Sequence, residues 1–358
     1  MKINYPRMWK DTGKTLILSL IGGALLSLLP GVPMPWLLGP VCIISLYTYV
    51  TGVYFYWPPM VRNAALIAVG YSMGRPFTLE AGEAIASQGW FMAGATCVTI
   101  LTGIAVGVYT HRKTGISLLS CLMGCTPGGL TQMVLIADEL EGVDTTAVTL
   151  MQTVRLMCVI FTVPFLAYHL ADEAAAAGNA ALTITADLSW WVLIPIAVLG
   201  GIIGKKIHMP TPWMLGPFVS TAIYVLASGG TAPAIPNHIF DIARLSLGAY
   251  IGCRIDLRKV KTYKGLGPCL LGGGAAVLAV SLLAGFIIAE AHGEDWVTAF
   301  LGTAPGGLSE MAILALGMGA DVLAVTAYQL TRLLGIMLGL PPLFKYVDKK
   351  YQKQLANG

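Results

Sequence analysis

Long uncharged hydrophobic runs alternate with short charged stretches along the whole chain, and the alternation is played out twice. The first half offers apolar pieces at about 16–30, 35–51, 61–75, 89–109, 115–137 and 145–168. The second half offers them at about 189–204, 212–228, 239–253, 266–289, 296–318 and 321–343. Thr15 to Val61 and Gly265 to Ala289 carry no charge at all. The first of these is long enough for two helical spans of roughly 20 residues each. In lipid each helix satisfies its own backbone groups, so runs of this kind predict an all-α, polytopic membrane protein.

The two halves also repeat in detail, at a spacing of about 178 residues. Cys125-Thr126-Pro127-Gly128-Gly129-Leu130-Thr131-Gln132-Met133 returns as Thr303-Ala304-Pro305-Gly306-Gly307-Leu308-Ser309-Glu310-Met311. Pro35-Trp36-Leu37-Leu38-Gly39-Pro40 returns as Pro212-Trp213-Met214-Leu215-Gly216-Pro217. Asp144, Gln152 and Arg155 return as Asp321, Gln329 and Arg332. Residues 1–170 therefore form a first membrane repeat, 171–187 a linker and 188–358 a second repeat. A duplicated unit with a breaker inside hydrophobic surroundings is the layout of a membrane carrier.

Composition agrees. The chain is 56% hydrophobic and only 11% charged, with a mean hydropathy of +0.73; soluble domains carry about 25% charge. The seven cysteines lie mostly in apolar segments, and Cys121 and Cys125 share a helical face without forming a ligand set. They read as packing residues. The first apolar run lacks a small-residue cleavage site, so it reads as a retained helix.

Lysine and arginine mark the cytoplasmic side of a membrane protein. Lys2 to Lys14, His111-Arg112-Lys113, Lys205-Lys206, Arg254 to Lys264 and Lys345 to Lys350 are the markers here. Placing them all inside, with Asp172-Glu173 and Glu290 to Asp295 outside, requires 115–137 and 296–318 each to make an even number of crossings. Each repeat then has five net crossings plus a broken or re-entrant hairpin at Pro-Gly-Gly. An odd number inverts one repeat relative to the other and leaves both termini cytoplasmic. Arg75 is the misplaced charge, softened by Glu80 and Glu83. A pair of short crossing helices would preserve the same parity.

The Pro-Gly-Gly divides each hairpin into two arms of about ten residues, each rising roughly 15 Å, half of a core about 30 Å thick. Amide groups at such a tip must line a protein cavity, where they favour an anion or polar group. Thr126, Pro127, Gly128, Gly129, Thr131 and Gln132 line one tip; Thr303, Pro305, Gly306, Gly307, Ser309 and Glu310 line the other. Arg155 and Arg332 stand about ten residues into the following helices, at matching depth. Gln152 and Gln329 precede them by three and share their face. A midplane arginine should face a cavity or a partner, which makes these four candidates for binding solute, or for holding the hairpin carbonyls. Glu310, matched by Gln132, is the carboxylate beside the tips and a candidate proton carrier, or an ion-pair partner for an arginine. The Trp36 and Trp213 motifs fit a supporting scaffold. Gly70-x3-Gly74 and Gly248-x3-Gly252 permit close helix approach, within one subunit or across a homodimer.

The five histidines fall in loops or at span ends, and none has a ligand spacing. No catalytic or nucleotide-binding motif stands out, so no enzyme, cofactor or metal is expected. The basic loop Arg254–Lys264 suits lipid headgroups rather than nucleic acid.

Over roughly residues 15–345 the duplicated Pro-Trp-(Leu/Met)-Leu-Gly-Pro and Pro-Gly-Gly-Leu-(Thr/Ser)-(Gln/Glu)-Met units resemble the Gram-negative AbrB-duplication membrane family. Its members carry the labels ammonia monooxygenase, regulator of aidB expression and AbrB family transporter. The resemblance implies an inner-membrane protein, unlike the small DNA-binding AbrB regulators. The residues hold no redox-metal set for the monooxygenase label. The expectation is a secondary transporter of a small polar solute, with an anion favoured, working by alternating access, with proton coupling through Glu310 as an addition. The competing reading is a membrane sensor or regulator that binds a ligand without moving it.

Overall fold

The computed structural model describes residues 5–128, 133, 136–137, 140, 142–170, 193–228, 232–256, 258, 263 and 265–356. The expected linker at 171–187, with Asp172 and Glu173, lies outside them. The elements among the described residues are all helices. They are α1 (Tyr5–Ser27), α2 (Pro35–Thr51), α3 (Pro59–Gly74), α4 (Leu79–Ser87), α5 (Gly89–Thr114), α6 (Leu118–Cys125) and α7 (Thr145–Leu170). After the linker come α8 (Ile194–Lys206), α9 (Pro212–Ser228), α10 (Asn237–Arg254), α11 (Leu266–His292), α12 (Trp296–Thr303), α13 (Leu308–Met318) and α14 (Val322–Ala356).

Gly89–Thr114, Thr145–His169, Leu266–His292 and Val322–Phe344 are each long and apolar enough to cross a bilayer. The chain is a multi-pass helical membrane protein. Three boundaries differ from those read from hydropathy. Helix α1 begins ten residues before the uncharged run at Thr15, α4 was not expected, and α14 continues through the basic tail to Ala356. Charged residues such as Lys and Glu are good helix formers, so helices outrun the apolar stretches that hydropathy detects.

Two compact units draw on both halves of the chain. The first comprises Met1–Ser87, Pro164–Ile255 and Ala312–Leu323. Its helices meet backbone to backbone through glycine. A Cβ on Gly39 would lie 2.3 Å from the Gly22 carbonyl, and one on Gly216 would lie 2.2 Å from that of Gly200. Trp36 covers Gly23 and Trp213 covers Gly201, so the tryptophan motifs seat α1 on α2 and α8 on α9. The two spaced glycine pairs are also used within this unit. Gly70 and Gly74 lie on the Met214 and Phe218 carbonyls of α9, while Gly248 and Gly252 lie on the Leu37 and Pro40 carbonyls of α2. Arg75 donates from Nε to the Ala232 carbonyl at 2.9 Å, which gives the misplaced charge a backbone partner.

The second unit comprises Gln88–Val163, Asp256–Met311 and Ala324–Gly358. Here α6 lies on α5 at Gly103 and Gly107, and α12 lies on α11 at Gly285. Leu119, Leu122, Met123 and Met133 pack with Val148 of α7 and with Ile336, Leu340 and Phe344 of α14. Cys121 and Cys125 pack with Met151, Val154, Leu266 and Leu270. The seven cysteines are free thiols.

Candidate functional site

Helices α6 and α12 have eight residues each, a rise of about 12 Å, too short to cross the apolar layer. The sequence stops both in the same way. A proline excludes helical backbone at the residue before it and has no N–H to continue the ladder. Thr126, before Pro127, is extended at φ −74° and ψ 135°; Ala304, before Pro305, is at φ −57° and ψ 135°. The starts are capped by side chains. Ser117 accepts from the Ser120 N–H, and Asp295 accepts from the Thr298 N–H.

A helix that ends inside protein leaves carbonyls without intrahelical partners. The recurring Gln-x2-Arg supplies those partners from a neighbouring helix. On α7, Gln152 Nε2 donates to the Met123 carbonyl at 2.7 Å and to the Thr126 carbonyl at 2.9 Å. Arg155 donates from Nη1 to the Thr126 carbonyl at 2.8 Å and from Nη2 to that of Gly128 at 3.3 Å. On α14, Gln329 Nε2 donates to the carbonyls of Leu301, Gly302 and Ala304 at 2.7, 3.1 and 3.0 Å. Arg332 donates to the Ala304 and Gly306 carbonyls and to Gln329 Oε1. Each amide and guanidinium therefore forms one clamp on one helix break. A cation at a helix C-terminus is also favoured by the helix dipole, by about 0.3–2 kcal/mol.

The clamps are largely buried: Gln152 and Gln329 are each 1% exposed and Arg332 6%, while Arg155 is half-buried. The Arg155 and Arg332 guanidiniums lie close enough to repel each other. Among the described residues, the ion pair within 4 Å is Arg244 with Asp241, and neither clamp arginine has a carboxylate partner. A helix C-terminus carries roughly half a negative charge, so each clamp keeps a net positive potential. Gln152 Oε1 and Arg155 Nε are buried there without a hydrogen-bond partner.

The remaining residues expected at the tips divide into four groups. Thr126 and Thr303 are buried, but their hydroxyls bond backbone: Thr126 Oγ1 donates to the Leu122 carbonyl at 2.7 Å and Thr303 Oγ1 to that of Ser281 at 2.8 Å. Pro127, Gly128, Pro305 and Gly306 form the breaks. Ser309 and Glu310 lie in the first turn of α13, with Ser309 Oγ donating to Glu310 Oε2 at 3.1 Å and that carboxylate folded over Gly307. Glu310 forms no ion pair within 4 Å among the described residues. Gly129, Thr131 and Gln132 lie outside the described residues.

The recurring aspartates prove to be caps. Asp144 Oδ1 accepts from the Ala147 N–H at 3.0 Å, and Asp321 Oδ1 from the Leu323 N–H at 2.9 Å. An aspartate just before an apolar periodic run is the sequence signal for that role. Tyr263 adds to the first cap, its hydroxyl donating to Asp144 Oδ2 at 2.6 Å. Burial, then the bond to the carboxylate, raises that phenol to about 12. Among the described residues no group of three or more His, Cys, Asp and Glu side chains could hold a metal ion.

Fold and site together define a class: a multi-pass helical membrane protein with two helix breaks, each held by a buried Gln-x2-Arg clamp. Residues 36–348 match the family described as "Transition state regulatory protein AbrB", and the chain belongs to that family. It is 26% identical over 377 aligned residues to a Bacillus subtilis (strain 168) protein, YhjN, with 96% of each chain covered; that protein's name assigns no activity. It is 27% identical over 331 residues to an Escherichia coli (strain K12) protein named provisionally as regulator AbrB, covering 90% of this chain and 93% of the relative. A relative in Bacillus extends the likeness beyond the Gram-negative subfamily. The family description and the Escherichia coli name are those of regulators and include no catalytic activity.

Proposed function

We propose that the chain is a secondary transporter of a small anionic solute, working by alternating access around the two clamped breaks. The observation that carries this reading is a pair of guanidiniums, one buried and one half-buried, that repel each other and have no carboxylate partner among the described residues. Buried charge is costly unless paired, and inside a membrane protein such groups mark substrate or ion paths. An anion seated against Arg155 and Arg332 would supply the pairing that the helix ends supply only in part. Arrangement supports it further. Two inverted repeats of five net crossings each would bring breaks of equal depth from opposite faces. The exchange of contacts in the first unit, α3 on α9 and α10 on α2, suits such a pseudo-twofold. Both termini then lie in the cytoplasm, by the distribution of Lys and Arg.

The Escherichia coli relative's name favours a second reading, a sensor that binds the same anion without moving it. Uptake into proteoliposomes from a panel of small carboxylates and oxyanions separates the two. A transporter accumulates one of them, and Arg155→Ala and Arg332→Ala each abolish the accumulation. Normal uptake by both variants would remove the arginines from the path. Binding to purified protein with no uptake in any condition would favour the sensor.

A further inference from the structure

The repeats differ beside the second break in a way that the anion path does not use. In the first half, Gly124 faces the Met151 side chain; at the matching place Gly302 faces the ring of Tyr328, 3.2 Å from where a Cβ would stand. Tyr328 is 3% exposed, and its hydroxyl is buried without a hydrogen-bond partner. It lies within electrostatic reach of Glu294. Glu294 stands just ahead of α12, and its Oε1 accepts from Gln88 Nε2 at the start of α5. The other carboxylate oxygen, Glu294 Oε2, is buried and unpartnered, and so is Gln88 Oε1. Three buried oxygens in one unit thus keep unused lone pairs. Two of them are on residues joined by a hydrogen bond, and the third is on a residue that interacts electrostatically with Glu294. None is close enough to another to form a hydrogen bond.

Charge narrows what would fit. Glu294 has no lysine, arginine or histidine within ion-pair distance among the described residues. On its own segment His292 packs edge-on to Phe91, and the Asp295 carboxylate is engaged by the Thr298 N–H and hydroxyl. One carboxylate therefore remains to be neutralised, and the acceptors offered are a carboxylate, an amide and a phenol oxygen. Hard cations are bound through oxygen, and divalent calcium wants six to eight oxygens, commonly with several carboxylates. A single negative charge suits a monovalent ion.

We propose that Glu294, Tyr328 and Gln88 form a binding site for a small monovalent cation, sodium, which couples to the clamped break of α12. The coupling follows from covalent neighbours: Tyr328 precedes Gln329, whose amide holds the carbonyls of Leu301, Gly302 and Ala304. A cation that fixes Tyr328 also fixes that clamp. As the coupling ion this site rests on the transporter reading, but its occupancy does not, so binding is measured directly.

The test uses purified full-length protein at constant ionic strength, in sodium, potassium or choline chloride, followed by thermal unfolding and by equilibrium binding of radioactive sodium. A ligand that binds only the folded state raises the melting temperature with its concentration. The wild type should melt higher in sodium than in choline and bind one sodium per chain. Glu294→Gln, which keeps the size and the partner at Gln88, should lose both effects, and Tyr328→Phe should weaken both while remaining folded. Equal melting in all three salts overturns the proposal. So does a stabilisation that follows pH and not sodium, which would make Glu294 a proton site, or a sodium effect retained in Glu294→Gln. Sodium binding with no solute uptake in any condition would uphold the site and defeat the transporter reading.

Discussion

At the residue scale the clamps rest on a single chemical fact: a helix stopped by proline in a low-dielectric interior leaves carbonyls that something must bond. Gln329 bonds three of them and Gln152 two. Leaving a buried polar group unsatisfied costs about 1–3 kcal/mol. Gln329→Leu should therefore destabilise the protein by several kcal/mol, and more than Gln152→Leu does. Denaturation of both variants in detergent, compared with the wild type, checks the order; equal stabilities would mean that solvent reaches the breaks. The sequence made these four residues legible because spacing by three on a helix and recurrence after 177 residues are both visible in letters. Which way they point was not visible. An arginine at the depth of a break bonds a ligand or the break itself with the same spacing, and only geometry divides those uses. Glu294, Gln88 and Tyr328 were illegible for a different reason: three separate segments bring them together, and no period links them. The exchange of Met151 for Tyr328 between otherwise matching helices was the one available sign.

At the element scale, helix contact in the first unit depends on residues that have no side chain. Gly39 and Gly22 touch through backbone, with a Cβ on Gly39 only 2.3 Å from its neighbour. Gly39→Val should prevent α1 and α2 from closing; overpacking of this kind costs about 1–3 kcal/mol or more. Gly13→Ala, where nothing lies within 4 Å, should leave stability unchanged or slightly raised, since alanine is the better helix former by about 1 kcal/mol. Yield of folded protein after membrane extraction compares the pair, and equal yields would contradict the packing. Hydropathy located most of the helices because their cores are uncharged, and the Pro-Gly-Gly breaks because proline and glycine carry their backbone meaning in the letter itself. Helix α4 and the ends of α1 and α14 escaped because polar helix formers extend a helix without leaving an apolar signature.

At the scale of the whole molecule, all helices described and four spans of membrane length agree with the architecture read from composition. The division into units did not follow the duplication. Each unit takes segments from both halves, because α3 finds its glycine-fitting partner in α9 and α10 finds its own in α2. A repeat is legible as a copied string, whereas its partners in space depend on which backbone surfaces fit. The proposed inversion is what makes two equal breaks into one central site, and loop charge and the exchanged helix contacts argue for it. The most direct measurement places single cysteines in a cysteine-free chain at Lys113 and Ala291, just ahead of α6 and α12, and labels intact cells and inverted vesicles with a membrane-impermeant thiol reagent. The account predicts labelling of the Lys113 position from the cytoplasm and of the Ala291 position from the opposite face. Labelling of both from the same face would contradict it.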